Sequence, residues 1–259
     1  MAISEHTVRE VAAWLDTEGY RIELQTALAF QNAEPSVGIA VGAFIGDSTP
    51  RREVDLCVSH HPCTRGRIMI VCECKYLKRP WILLRGPGGQ TNSMFSFLLA
   101  AKTRTLIEMA ARREVLDSLE ANFHFRSDAP AAYGVIEALK NARDADRAYA
   151  TMMKVTDVTF GYASSFDRIN ASGGDTCVLF LPLVVVEGQL FEASYDSTAK
   201  GFVVKEARWG RVSWSGGDRR LLVDVVRLDY IREYAEQAVE SLVQLGSLVR
   251  QYLGGDAAT

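Results

Sequence analysis

The chain has 259 residues, 48% of them hydrophobic, so it is long enough to bury a substantial core in one large domain. The formal net charge is -3, which excludes a uniformly basic protein that coats nucleic acid. Any grip on a phosphate backbone therefore has to be local. We predict one domain over residues 1–259, in which residues 1–171 form a core and residues 172–259 a β-rich extension with a closing helix.

Neither a leader nor a membrane span is visible in the sequence. The N-terminus has no apolar run, and the longest apolar stretch, residues 178–186, is too short to cross a bilayer. The five cysteines are odd in number and irregularly spaced, which favours reduced thiols over a disulfide framework. They also lack the CxxC pairs that are typical of zinc sites. These features predict a cytoplasmic protein that does not contact a membrane.

One helix and two strands are predicted in the first part of the chain. Apolar residues recur at helical spacing over residues 4–18, which predicts a helix. Residues 20–30 suit a strand, and residues 37–44 form a second apolar segment bounded by glycines. Residues 46–52 are predicted to form a turn into the next strand.

Residues 51–81 are typical of two apolar strands joined by a polar connection. In the second strand, apolar side chains alternate with a set that ends in Glu73 and Lys75, so these two leave the backbone on the same side. Asp55 lies in the strand before. If the two strands pair, we expect Asp55, Glu73 and Lys75 to converge on one patch.

Charged side chains in strands this apolar are costly to desolvate unless they pair with each other or with a metal ion. Two carboxylates an ion's width apart hold a hard divalent cation, and we expect Mg²⁺, with Mn²⁺ as a substitute. A neighbouring lysine can orient or deprotonate a water, or neutralise charge on a phosphate. Asp55 and Glu73 are therefore candidate metal ligands and Lys75 a candidate catalytic group. The alternative is a cross-strand ion pair on a half-exposed sheet.

An Asp followed in the next strand by Glu-x-Lys resembles the active-site signature of the PD-(D/E)XK nuclease superfamily, which has a restriction-endonuclease-like fold. The resemblance covers Asp55, Glu73 and Lys75, and Val54 stands where the proline of the family name would be. It implies an α/β fold with a mixed sheet flanked by helices. It also implies a Mg²⁺-dependent endonuclease that hydrolyses DNA phosphodiester bonds, with the main-chain carbonyl of Cys74 completing the metal site.

The same resemblance implies that an acid of the first helix reaches toward the metal. Glu5 lies about 60° from the centre of the apolar stripe at Val8, whereas Glu10 lies near the opposite side. Glu5 is therefore the preferred candidate. The alternative is an acid that only interacts with the helix dipole.

Lys78, Arg79 and Arg85 follow the second strand, with Trp81 among them. A basic cluster with an aromatic residue, next to an acidic patch, suits a nucleic-acid backbone with a base stacked on the ring. The three basic residues are therefore candidate nucleic-acid contacts. The alternative is a charged strand exit with a packed tryptophan.

The rest of the chain is predicted to begin with helices and to become β-rich. We predict a helix over residues 92–121, a strand over residues 131–136 and a helix over residues 145–160. The later elements are strands at residues 178–186, 190–195, 202–214 and 220–228, and a closing amphipathic helix at residues 230–253. We expect the strands of this half to form a β-rich layer added to the core.

The closing helix carries more apolar residues than one packed face requires, which predicts a homodimer. The main functional prediction is a nuclease that acts on DNA. At the level of the family, this suggests a bacterial restriction or antiphage-defence effector. Two alternatives stay open, namely a catalytically inactive nucleic-acid-binding or assembly module on the same fold, and a structural protein with a chance ion-pair cluster.

Overall fold

The computed structural model describes residues 4–17, 20–45, 52–64, 66–86, 98–100, 131–141, 144–172, 177–216 and 219–253. Within these residues the chain has an α/β fold of two mixed sheets and four α-helices, so the α/β part of the prediction is confirmed. The helices are α1 (Glu5–Thr17), α2 (Tyr20–Ala33), α3 (Arg147–Ala171) and α4 (Ile231–Leu253). A 3-10 turn over Leu228–Tyr230 precedes α4.

The described strands form a larger sheet and a smaller one. They are β1 (Gly38–Ile45), β2 (Arg52–Cys63), β3 (Gly66–Tyr76), β4 (Trp81–Arg85), β5 (Leu98–Ala100), β6 (Gly134–Glu137), β7 (Cys177–Glu187), β8 (Leu190–Asp196), β9 (Gly201–Glu206), β10 (Trp209–Gly216) and β11 (Arg219–Arg227). The larger sheet has the order β1-β2-β3-β7-β11-β10, with β5 paired to β7, and the smaller has the order β6-β4-β8-β9. β7 runs parallel to both β3 and β11, whereas β1, β2 and β3 are antiparallel neighbours.

β3 and β7 form the centre of the larger sheet because both are apolar on both faces. They are buried along most of their length, as is typical of parallel strands covered by helices. One face of the sheet packs against α2 and α4, through residues such as Ile22 and Leu242. The other face packs against α3, through Met152 and Val155. Side chains of β3 therefore alternate between two covered layers.

β3 and β7 also connect the two sheets. They leave the larger sheet side by side and continue as β4 and β8, which are parallel neighbours in the smaller sheet. At this crossing the Leu77 N–H donates to the Glu187 carbonyl at 2.8 Å, and the Trp81 N–H donates to the Gln189 carbonyl at 3.0 Å. The crossing therefore begins directly after the end of β3.

Most of the predicted elements are confirmed. The predicted positions hold α1, α3 and α4 among the helices and β1, β2, β3, β7, β8 and β11 among the strands. Cys72 and Cys74 lie in the core. Among the described residues, no helix is long and apolar enough to span a membrane.

The strand predicted over residues 20–30 is wrong, because these residues belong to α2. The buried residues of α2 are Ile22, Thr26, Ala29 and Phe30, and this spacing places them on one face of a helix. A short apolar run with aromatic ends fits a strand and a buried helix about equally well. Packing of this face against the larger sheet decides for the helix.

Other boundaries and partners also differ from the predictions. The single strand predicted over residues 202–214 is interrupted at Ala207 and Arg208, and its halves, β9 and β10, lie in different sheets. Residues 98–100, predicted as helix, form β5, and the rest of the helix predicted over residues 92–121 lies outside the described residues.

The strands after residue 172 do not form a layer of their own. β7, β10 and β11 lie in the larger sheet, and β8 and β9 lie in the smaller one. β7 is apolar on both faces, and such a strand is stable only where helices or strands cover both sides. The centre of the larger sheet, next to β3, meets that requirement.

The apolar face of α4 packs on its own chain. Its buried side chains contact the larger sheet and α2, and they include Ile231, Ala235, Ala238, Val239, Leu242 and Leu245. The side chains of Leu248, Val249 and Leu253 lie outside the described ones. The described apolar face of α4 is therefore used within the chain and does not supply the predicted dimer surface.

Gly188 lies at the crossing between β7 and β8, with a φ of 143° and a position where a Cβ would lie 2.7 Å from Leu77 Cβ. We expect Gly188→Ala to lower the free energy of unfolding by about 2 kcal/mol, because backbone strain and the contact both oppose a methyl group. Urea unfolding measures the change. Gly134→Ala is the matched control, since a Cβ there meets nothing within 4 Å. Equal losses in the two variants would contradict the prediction.

Candidate functional site

The site begins where β2 and β3 stop pairing. Toward this end of the strands the last paired residues are Leu56 and Cys72. Beyond them the Asp55 side chain takes the place of a strand partner, because the Cys74 N–H donates to Asp55 Oδ2 at 2.8 Å. This hydrogen bond holds the Asp55 carboxylate, which is 12% exposed, against the edge of β3.

Glu73 carries the most deeply buried carboxylate of the site. The residue is 0% exposed, and with Lys75 it continues the β3 face that packs on α3 through Met69 and Val71. Neither of its carboxylate oxygens accepts a hydrogen bond from the described part of the chain. Because a buried carboxylate without hydrogen bonds is costly, its charge has to be compensated by cations or removed by a proton.

Two lysines provide that compensation. Lys75 Nζ lies 3.2 Å from Glu73 Oε2 and 3.6 Å from Asp55 Oδ2, so the structure brings together the three side chains that the sequence singles out. Lys154 of α3 adds a fourth group. Its Nζ lies 2.8 Å from Glu73 Oε2, outside hydrogen-bond geometry, and 3.4 Å from Asp55 Oδ1.

Sequence reasoning missed Lys154. It lies 99 positions from Asp55 along the chain, and a single lysine beside the buried stripe of a helix has no distinguishing pattern. The packing of α3 on the sheet, through its buried neighbours Met152 and Val155, directs Lys154 to the carboxylates. Two carboxylates and two ammonium groups therefore form one cluster, called the charge quartet below, of Asp55, Glu73, Lys75 and Lys154.

The pKa values of the charge quartet reflect competition between burial and charge. Burial raises the pKa of Glu73 to about 7, and the Asp55 charge adds to this, against the opposing effects of Lys154 and Lys75. Burial alone would lower the pKa of Lys154, but the Glu73 and Asp55 carboxylates outweigh it and raise that pKa. The quartet therefore keeps Lys154 charged and holds Glu73 close to the point where it gains a proton.

A helix acid does approach the site, but it belongs to α2. Burial, followed by the Asp55 and Glu53 charges, raises the pKa of Glu23 against the opposing effects of Lys75 and Lys154. The side chain of Glu5 is 92% exposed on α1 and pairs with Arg9 at 3.3 Å. Among the described contacts, Glu23 and not Glu5 is thus the helix acid that interacts with Asp55. The sequence does not indicate Glu23 as a site residue, because its apolar pattern predicts a strand over this segment.

The oxygens of the site suit a hard divalent cation. Among the described residues no group of three or more His, Cys, Asp and Glu side chains is arranged to hold a metal ion. Asp55 and Glu73 supply two carboxylates, however. The buried Glu73 oxygens have no hydrogen-bond donor of regular geometry among the described residues, and a bound cation would compensate for this. The N–H and C=O of a strand residue point to the same side, so the Cys74 carbonyl faces the side on which Asp55 binds its N–H. These residues fit the predicted metal.

The basic residues after β3 are mostly engaged with acids of the same chain. Arg79 Nη1 lies 2.6 Å from Asp144 Oδ2, and Arg85 Nη2 lies 2.9 Å from Glu192 Oε2. Lys78 is exposed. Trp81 is 1% exposed and packs in the core, so it cannot stack on a base.

Comparison of the chain with protein-family models, with curated proteins and with solved structures gave no match. The chemistry of this site is therefore assigned from its own residues and their geometry.

The pKa of Glu73 predicts a pH-dependent stability of the metal-free protein. The pKa of Glu73 is about 7 in the folded state, against an ordinary value of 4.5 that applies to the unfolded state. At pH values between these two, the folded state keeps a proton that the unfolded state has lost. The contribution of Glu73 to stability is therefore full below pH 4.5, and it is lost as pH rises toward 7. We expect Glu73→Gln to match the parent at about pH 4 and to be more stable at about pH 8, by up to about 3 kcal/mol.

Urea unfolding in the presence of a chelator, at both pH values, measures this difference. Glu53→Gln is the control, because Glu53 is an exposed carboxylate on β2. A difference between Glu73→Gln and the parent that does not change with pH would contradict the prediction.

Proposed function

We propose that this protein is a metal-dependent nuclease that hydrolyses DNA phosphodiester bonds, with Mg²⁺ as the cofactor and Mn²⁺ as a substitute. The observation that carries the proposal is the buried Glu73 carboxylate, whose oxygens lack hydrogen bonds, beside Asp55 and Lys75. The order of these residues resembles the PD-(D/E)XK signature, and it is consistent with the proposal that their strands are neighbours in a mixed sheet between helices.

Each residue of the site has a separate role. Asp55 and Glu73 hold the metal ion, and the Cys74 carbonyl is a further ligand. Glu23 is the helix acid that reaches toward the metal, a role for which the sequence favours Glu5. When bound, Mg²⁺ supplies Lewis-acid polarisation of a phosphate oxygen and lowers the pKa of a water. Lys75 orients the attacking water or neutralises the charge that develops on the phosphate. The hydrogen bond from the Cys74 N–H positions the Asp55 carboxylate as a metal ligand.

The substrate contacts and the oligomeric state are part of the same proposal. Lys78, Arg79 and Arg85 contact phosphates, although Arg79 and Arg85 first have to leave Asp144 and Glu192 or share them. A homodimer suits cleavage of both strands of a duplex by two sites related by symmetry. By family analogy, the biological role is that of a bacterial restriction or antiphage-defence effector.

A second candidate function is a module without catalysis, either for nucleic-acid binding or for assembly. It is favoured by the charge quartet, whose two lysines neutralise two carboxylates without any metal ion. In that case the four side chains form a structural ion-pair network. The two functions differ in whether the protein binds a divalent ion and cleaves DNA.

Three variants test the proposed roles in a plasmid-cleavage assay with Mg²⁺, paired with calorimetry of metal binding. Asp55→Asn keeps an oxygen that can accept the Cys74 N–H, so the fold should survive while metal binding and cleavage are lost. Glu73→Gln should have the same effect, because both lose a charged ligand. Lys75→Ala should keep metal affinity within a small factor and lower the cleavage rate by about 10²-fold or more.

The comparison of Lys75→Ala with the parent under saturating Mg²⁺ is the decisive one. If folded Lys75→Ala cuts DNA as fast as the parent, the nuclease assignment is wrong and the ion-pair network is the better interpretation. Removal of the divalent ion by a chelator serves as the control, and it should stop cleavage by the parent.

The exposed lysine after β3 allows a separate test of substrate contacts. We expect Lys78→Ala to weaken DNA binding without regard to sequence and to reduce the salt slope of the affinity by about 1, because one phosphate contact is lost. Binding is measured by fluorescence anisotropy at several salt concentrations, without divalent ions. Lys200→Ala is the control, since Lys200 is an exposed lysine of the turn between β8 and β9. Equal slopes for Lys78→Ala and the parent would remove Lys78 from the DNA contacts.

A further inference from the structure

The carboxylate oxygens of the charge quartet are not equivalent. Asp55 Oδ2 already accepts the Cys74 N–H at 2.8 Å. Among the described contacts, no backbone N–H donates to Asp55 Oδ1 or to Glu73 Oε2, and Lys154 Nζ approaches both, at 3.4 Å and 2.8 Å. The ammonium of Lys154 thus bridges one oxygen of Asp55 and one oxygen of Glu73.

Lys75 has a different position in the same cluster. Its Nζ lies nearest to Glu73 Oε2, at 3.2 Å, and its second contact is Asp55 Oδ2 at 3.6 Å, the oxygen that the Cys74 N–H already uses. Lys75 therefore reaches Asp55 at the oxygen that already has a backbone donor, whereas Lys154 reaches it at the other oxygen. This difference separates the two lysines by role.

Lys154 is also able to leave. Its side chain is 39% exposed, while its helix is anchored by buried residues such as Met152 and Val155. A lysine on a fixed helix can turn its long side chain into solvent without moving the backbone. When the Lys154 ammonium leaves the carboxylates it would therefore move into water, and no unpaired cation would stay buried.

We propose that Lys154 holds the cation position of the site in the metal-free protein, and that a divalent ion has to displace its ammonium in order to bind. The inference rests on the proposed metal site and deepens it. Lys154 keeps the two carboxylates together when no metal is present, because it compensates their charge. It also lowers the affinity of the site for the metal, since the ion has to compete with an ammonium that is already there. Lys154 is thus a positioning residue that sets the metal concentration at which the site fills.

Mn²⁺ binding to Lys154→Met tests the proposal, because methionine keeps much of the length of lysine without its charge. Calorimetric titration at pH 8 should show Mn²⁺ binding to Lys154→Met at least about tenfold more tightly than to the parent, since a cation beside the ion has been removed. Lys154→Arg keeps the charge and should stay within about threefold of the parent. Lys140→Met is the matched control, because Lys140 pairs with Asp146 at 3.1 Å, outside the quartet, and its variant should bind Mn²⁺ as the parent does.

The rise in melting temperature on addition of Mn²⁺ is a readout that a purely structural ion pair would not change. In chelator, Lys154→Met should melt below the parent, because two carboxylates then share one lysine. Saturating Mn²⁺ should raise its melting temperature by more than it raises that of the parent, since tighter binding gives greater stabilisation. A structural role alone would give the loss in chelator without the larger gain in Mn²⁺.

The outcomes separate this inference from the proposed function. If the parent binds Mn²⁺ and cuts DNA, but Lys154→Met binds Mn²⁺ with the affinity of the parent, the proposal that the ion displaces Lys154 is overturned. The nuclease proposal then stands. If Lys154→Met binds Mn²⁺ more tightly while no protein cuts DNA, the displacement stands and the nuclease is overturned. Absence of Mn²⁺ binding to the parent and to every variant overturns both.

Discussion

Glu73 places a carboxylate inside a sheet that is covered on both faces, where a charge has to be compensated by cations or neutralised by a proton. The rest of the site follows from this constraint. Two lysines approach Glu73 from different elements, Lys75 from its own strand and Lys154 from the covering helix. Because burial still raises the pKa of Glu73, the two lysines compensate its charge only in part. A buried acid in this state is a group that a divalent ion can stabilise further.

The architecture of the larger sheet creates the room for the site. β2 separates from β3 beyond the pair of Leu56 and Cys72, which leaves the Cys74 N–H without a strand partner. Asp55 supplies that partner through its side chain, so one hydrogen bond both completes the edge of β3 and fixes a carboxylate. β3 then continues past the site into the smaller sheet beside β7. The functional side chains therefore lie on the strand pair that joins the two sheets.

Charge around the site is balanced locally. The quartet is neutral when its four groups are ionised, and Arg79 and Arg85 are matched by Asp144 and Glu192. This agrees with a chain whose net charge is slightly negative and whose hold on phosphate has to be local. In the proposed nuclease, a metal ion would turn this balanced site into a positive one, because Lys75 remains beside it. The affinity for a phosphate backbone would then depend on the metal as well as on exposed residues such as Lys78.

The sequence by itself determined the face that Glu73 and Lys75 share, because the two-residue period of a strand is a local property. It also determined that an acid-bearing strand precedes them, and most helices and strands could be predicted in the same way. The segment of Glu23 could not, since a short apolar run fits a strand or a helix until its packing partner is known. Only the tertiary structure decided that Lys154 belongs to the site and that Glu73 is fully buried. Both depend on how α3 packs across the sheet, which is a contact between residues distant in the chain.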